Sequence, residues 1–173
     1  ELKGYVAKYP KLAQENDLEI EVSDEAFQST RQEYAGALYQ EKRYDEALVV
    51  YDKLIQDYPD NSDYHYERGK LLLQMGQEEE AIVSLKKYTQ GKTGVQKLQR
   101  MRQVAEYAER MQVRSVAILF FQEELDATTG DGRIGLLEKL AQLHLATGEP
   151  KEARRYIQLL IKERRTMSGK LRP

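Results

Sequence analysis

At 173 residues, 40% of them hydrophobic, the chain has enough apolar material for one domain, or one run of repeats, with a buried core. Its 27 Lys and Arg against 29 Asp and Glu leave a formal charge of -2, so the molecule as a whole is no attractor for nucleic acid or anionic membrane, and either would need a local patch. The absence of cysteine removes disulfides, thiol nucleophiles and zinc-thiolate sites, and leaves oxidising and reducing compartments equally open.

From its start the chain reads as follows. No apolar stretch approaches the roughly 20 residues that span a bilayer, and the first residue is Glu1 rather than a methionine followed by an apolar signal core. An anchor upstream is left open, and the localisation is unknown: cytoplasmic and extracytoplasmic placements both fit. A short helical-looking stretch meets Pro10, and "ENDLEIEVSDE", Glu15 to Glu25, carries acids and no base, so residues 1–27 read as a helical and acidic connector. Ser23, followed by Asp24 and Glu25, makes a good N-cap for the helix that follows.

Beyond the connector the chain repeats itself. "RYDEALVVYDKLIQDYPDN", Arg43 to Asn61, sets Ala47 ahead of Tyr51, Leu54 and Ile55, and the order returns around Ala81, Ala117 and Ala153. The spacing is 34 residues from Ala47 to Ala81, then 36 to Ala117 and 36 to Ala153. Each alanine follows a second amphipathic run whose own small residue, Ala35, Gly69, Ala105 or Ala141, lies 12 positions earlier. Small residues let two helices approach closely while large neighbours fill the seam. The pattern predicts four helical hairpins, at about 28–61, 62–97, 98–133 and 134–167. Gly76 and Gly148 suit the hairpin turns and Pro150 a first helical position; the third turn, Met111 to Arg114, lacks a glycine and requires a longer first helix or connection. Thr89 to Gly94 and Asp126 to Gly132 are predicted inter-unit loops. "KERRTMSGKLRP", Lys162 to Pro173, is basic, and Gly169 and Pro173 predict that the last helix dissolves into a flexible tail, 168–173. No segment alternates with period two, so the expected fold is wholly α-helical.

On these residues the chain resembles the tetratricopeptide repeat (TPR) family, whose unit is a helix–turn–helix of about 34 residues. The resemblance covers Gln28 to Met167, with Tyr34, Ala35 and Leu38, Gly69 and Leu72, Met101, Val104 and Ala105, and Leu137, Leu140 and Ala141 as the large and small pattern of the first helices. Departures are Arg31 and His65 where the family favours a bulky aromatic, Arg68 for a leucine, and Pro59 as the one helix-ending proline. The resemblance implies a right-handed superhelical α-solenoid of four TPR-like units, with first helices lining a concave groove.

Helical spacing then selects the inward-facing residues: Gln32, Gly36 and Tyr39; Tyr66, Lys70 and Leu73; Arg102, Glu106 and Glu109; Glu138, Gln142 and Leu145. Tyrosine and arginine offer large area with hydrogen-bonding tips, so the expected partner-binding set is Tyr39, Tyr66, Lys70, Leu73, Arg102 and Arg110. Its cations favour a protein or peptide partner carrying acidic residues. Chaperone-binding TPR proteins grip a C-terminal carboxylate with Lys, Asn and Arg, where this chain has Gln32, Gly36, Glu67, Gln99 and Gln103; with the register shifted one unit, Lys70 and Lys139 alone match. A heat-shock co-chaperone is not expected.

Catalytic cues fail. "GKTG" lacks the glycine five residues upstream that a phosphate loop needs, Lys86 standing there. His65 and His144 fall at packing places of different first helices, and the acids of "QEEEA", Gln77 to Ala81, suit the positive end of a helix. No enzyme, catalytic residue, metal site or cofactor is expected. The leading reading is a protein–protein interaction scaffold, part of a larger assembly. The alternative is an architectural or self-association module linking flanking domains or an anchor, and a more distant one is nucleic-acid binding through Lys92, Lys97, Arg100, Arg102, Arg110 and Arg114, although no nucleic-acid partner is expected from the overall charge.

Overall fold

The computed structural model describes residues 24–170. Among them are eight α-helices and no strand, arranged as four helix–turn–helix units: α1 (Asp24–Gln40) with α2 (Tyr44–Asp57), α3 (Asp63–Gln74) with α4 (Glu78–Gln90), α5 (Gly94–Arg110) with α6 (Arg114–Ala127), and α7 (Gly132–Ala146) with α8 (Pro150–Lys170). The all-α repeat fold expected from the sequence is the one observed. The predicted cap Ser23 and most of the acidic connector lie outside the described residues.

The four hairpin turns are built alike. A residue with positive φ stands five positions before each repeat alanine: Lys42 (61°), Gly76 (74°), Gln112 (62°) and Gly148 (76°). Around each, two backbone bonds close the first helix. Lys42, Gly76, Gln112 and Gly148 donate their N–H three residues back, and Arg43, Gln77, Val113 and Glu149 donate five residues back, at 2.8–3.1 Å. This is the Schellman arrangement, which satisfies helix-terminal carbonyls that would otherwise lack donors. The repeat alanines then open the second helices, Ala47, Ala81, Ala117 and Ala153 donating to Arg43, Gln77, Val113 and Glu149 at 3.0–3.1 Å. The third turn therefore needs no longer connection despite lacking glycine: Gln112 takes the left-handed place, and the extra length lies in α5, at 17 residues against 12 in α3.

All four alanines are fully buried, as are Ala35 and Ala105, and Gly69 and Ala141 are buried beside them. Two compact units result, where the chain length suggested one domain or one run of repeats; the first ends at Tyr88 and the second begins at Thr89. In the first, Ala35 and Leu38 of α1, Ala47, Tyr51 and Leu54 of α2, and Tyr64 and Leu71 of α3 form the core, with Tyr34, Tyr39, Tyr44 and Tyr58 packed at its edge. In the second, Val104 and Ala108 of α5, Phe120 and Phe121 of α6, Leu137 and Leu140 of α7 and Tyr156 of α8 are buried.

Five boundaries differ from the sequence expectation, two of them because Gly94 and Gly132, expected in loops, open α5 and α7. Thr89 and Gln90 still belong to α4, and Asp126 and Ala127 to α6, because Thr89 and Leu125 have buried packing that carries each helix past the predicted loop start. The α8 backbone continues through Gly169 to Lys170. One glycine costs a helix roughly 1 kcal/mol, less than is needed to stop it.

Candidate functional site

Helical periodicity sets Tyr39 on α1 and Tyr66, Lys70 and Leu73 on α3 within the first unit. The Gln74 amide donates to the Tyr39 hydroxyl at 3.0 Å, tying α3 to α1, and the Tyr39 ring lies 5.6 Å from that of Tyr44. The Tyr66 ring rests 4.8 Å from the buried ring of Tyr88, and the Lys70 Nζ stands 5.1 Å over Tyr66. Lys70 also pairs with Glu67 at 2.7 Å. Leu73, expected to offer apolar area on this face, is instead buried and backs it from within, because its place on α3 turns toward the core. The result is two half-exposed tyrosines and a lysine whose positions are held by neighbours, two of which, Gln74 and Tyr88, sequence reasoning passed over.

Arg102 and Arg110 lie on α5 of the second unit, both exposed and about two turns apart. Arg110 sits 5.9 Å over the Tyr107 ring. Arg102 reaches inward instead, donating from Nε (2.9 Å) and Nη2 (2.6 Å) to one oxygen of Glu124 on α6. The Glu124 carboxyl is 1% exposed, and burial pushes its pKa up while Arg102 pulls it down. Its other oxygen has no hydrogen-bond partner among the described residues. Sequence could have exposed this carboxylate: Glu124 stands seven residues after its repeat alanine, where the other hairpins have Leu54, Tyr88 and Leu160. The adjoining face is laced by Lys139 to Glu109 at 2.9 Å, with Lys139 also 5.9 Å over the Phe121 ring.

The two histidines pack. His144 is buried, its ring stacked 5.3 Å from Tyr156 and its Nδ1 2.6 Å from Glu149 Oε2, an interaction that holds the Glu149 carboxyl below its ordinary pKa. His65 is half-buried; burial, Lys87 and Arg68 lower its pKa, and its buried Nδ1 has no hydrogen-bond partner among the described residues. Among the described residues no three His, Cys, Asp or Glu side chains converge on a metal position, and no helix is long and apolar enough to cross a membrane. The basic stretch expected as a nucleic-acid alternative does not present all its charges freely, since Arg102 is tied to Glu124.

Helical hairpins closed by matching turns, with a buried small residue opening each second helix, define a helical-repeat protein. Residues 35–76 match the family model described as TPR repeat, and the hairpin fold of the described residues is of the TPR kind. It is similar to the kinesin light chain-like TPR repeats of Podosopora anserina (14% identity, 99% of this chain and 86% of that chain, TM-score 0.57). It is also similar to a double mutant of MamA RS-1 (16% identity, 94% and 83%, TM-score 0.52) and to a tetratricopeptide repeat protein from Parabacteroides merdae ATCC 43184 (16% identity, 94% and 57%, TM-score 0.50). Likeness at these identities is likeness of fold. No curated protein sequence matches the chain.

Proposed function

We propose that the chain is a protein-interaction scaffold that holds a peptide or helical segment of a partner on the first-helix faces of its repeats, within a larger assembly. The observation that carries this is the Tyr39, Tyr66 and Lys70 group, whose aromatic rings are fixed in advance by Gln74, Tyr44 and Tyr88 while one side stays open to solvent. Rigid tyrosines of this kind supply contact area at low entropic cost. Leu73 backs the group from beneath. A partner carboxylate reaching Lys70 competes with Glu67, so acidic residues in the segment contribute orientation more than affinity. The TPR fold is compatible with this reading.

The architectural alternative draws on Val49 and Val83, each two residues past a repeat alanine and more than half exposed on the second helices α2 and α4. Capture of partners by the intact chain, compared with Tyr66→Ala/Lys70→Glu and with Val49→Ser/Val83→Ser, separates the two. Loss of the captured protein in the first variant, with helical content kept, supports the first-helix face. Loss in the valine variant alone transfers the function to the second helices.

A further inference from the structure

We infer that the outer face of α8 is a second docking surface, shaped for an acidic amphipathic helix of a partner protein. The repeat frame locates it. Phe121 and Leu125, four and eight residues past Ala117, lie under α7: Lys139 of α7 stands 5.9 Å over the Phe121 ring, and Arg133 of α7 donates to the Leu125 carbonyl at 2.7 Å. They are 3% and 4% exposed. Ile157 and Ile161 hold the same places past Ala153, yet are 40% and 45% exposed, with no helix over them among the described residues. Among the described residues, a position that lies beneath a helix in the preceding hairpin is thus uncovered.

The rim states what chemistry fills it. Arg154, Lys162 and Arg165 are exposed on the same stripe of α8 as the two isoleucines, and none has an ion-pair partner among the described residues. Ile161, Lys162 and Arg165 line one shallow depression with Gln158 and Thr166. The acids of α8 are turned elsewhere, Glu152 to Arg155 and Glu163 to Arg133 at 2.7 Å. On α6 the place of Lys162 is taken by Asp126, and that helix accepts a covering α7 bearing Arg133 and Lys139. A covering helix of the α7 kind would bring those cations against three more, at a cost that selects against it. An occupant with apolar residues at i and i+4 and glutamate or aspartate on either flank satisfies both the isoleucines and the rim. Two isoleucines are too little apolar area for an anionic bilayer to be the better match.

The test uses two fluorescein-labelled helical peptides, one with leucines on one face and glutamates flanking them, the other with lysines in place of the glutamates, titrated against the full chain by anisotropy. The glutamate peptide should bind at least about tenfold tighter, and Arg154→Glu/Lys162→Glu/Arg165→Glu should reverse the preference. Ile157→Ser/Ile161→Ser should weaken the glutamate peptide by a similar factor with an unchanged melting curve, and Tyr66→Ala/Lys70→Glu should leave it unaffected, separating this surface from the first-helix face. Equal binding of the two peptides, or a preference that survives charge reversal, overturns the inference. So does a dimer seen by light scattering that Ile161→Ser dissolves, which makes a second copy the occupant. Binding to phosphatidylserine vesicles without peptide binding overturns it in favour of a membrane.

Discussion

Leu85 of α4 lies so close over Gly69 of α3 that a β-carbon on the glycine would meet Leu85 Cγ at 2.5 Å and Cδ2 at 2.6 Å. The hairpin seam at this point has no room for a single methyl group. Gly69→Ala should therefore destabilise the chain by about 1–3 kcal/mol through overpacking, read as a lower urea midpoint. Gly36 on α1 meets nothing within 4 Å at the same test, and Gly36→Ala should be neutral or stabilise by up to about 1 kcal/mol. Equal effects at the two glycines would show that the seam relaxes freely.

The left-handed turn positions of Lys42 and Gln112 hold side chains where the other two hairpins have Gly76 and Gly148. A β-carbon there costs roughly 1–2 kcal/mol, partly offset by the greater chain entropy of glycine. Lys42→Gly and Gln112→Gly should each stabilise by about 0.5–1 kcal/mol in urea melts, whereas Gly76→Ala should destabilise. If both glycine variants lose stability, their side chains hold contacts that outweigh the strain.

Arg102 is the sole described hydrogen-bond donor to the buried Glu124 carboxylate. Its removal in Arg102→Ala should cost about 1–3 kcal/mol by leaving a buried acceptor unmet. Glu124→Leu, matching Leu54 and Leu160 of the other hairpins, should be neutral or stabilising, since Arg102 is 54% exposed and can return to water. Because Glu124 has a raised pKa when folded, its proton contributes stability that is full below the ordinary value near 4.5 and lost as pH rises through the folded value. Glu124→Gln should flatten the stability profile in that mildly acidic window, and an unchanged slope there would count against the assignment.

His65 should act with the opposite sign. Burial beside Lys87 and Arg68, with Asp52 opposing, lowers its pKa below 6.5, so the folded chain holds fewer protons than the unfolded one. The stability this confers is complete above pH 6.5 and is lost as pH falls through the folded value. His65→Met, using the residue found at the equivalent Met101, should blunt the loss of urea midpoint between about pH 7 and pH 5. A variant that loses stability on acidification as steeply as the parent would place the effect elsewhere.

Spacing by itself determined the helical class and the four hairpins, because a small residue recurring every 34 to 36 positions, flanked by large apolar ones, can bury its seam in one way. Ala47, Ala81, Ala117 and Ala153 were legible for that reason. What tertiary structure decided is which polar and apolar groups meet across helices. Arg102 and Glu124 are 22 residues apart, and only the packing of α5 on α6 makes the arginine an internal partner as well as an exposed charge. Leu73 is spaced like a surface residue yet is buried, since the surroundings of one helix position depend on its neighbours more than on its own periodicity. Gln112 holds a glycine's conformation because the turn's hydrogen bonds outweigh local preference. Ile157 and Ile161 carry the same sequence signal as buried Phe121 and Leu125, and their exposure is set by whether a helix lies over them, which periodicity cannot encode.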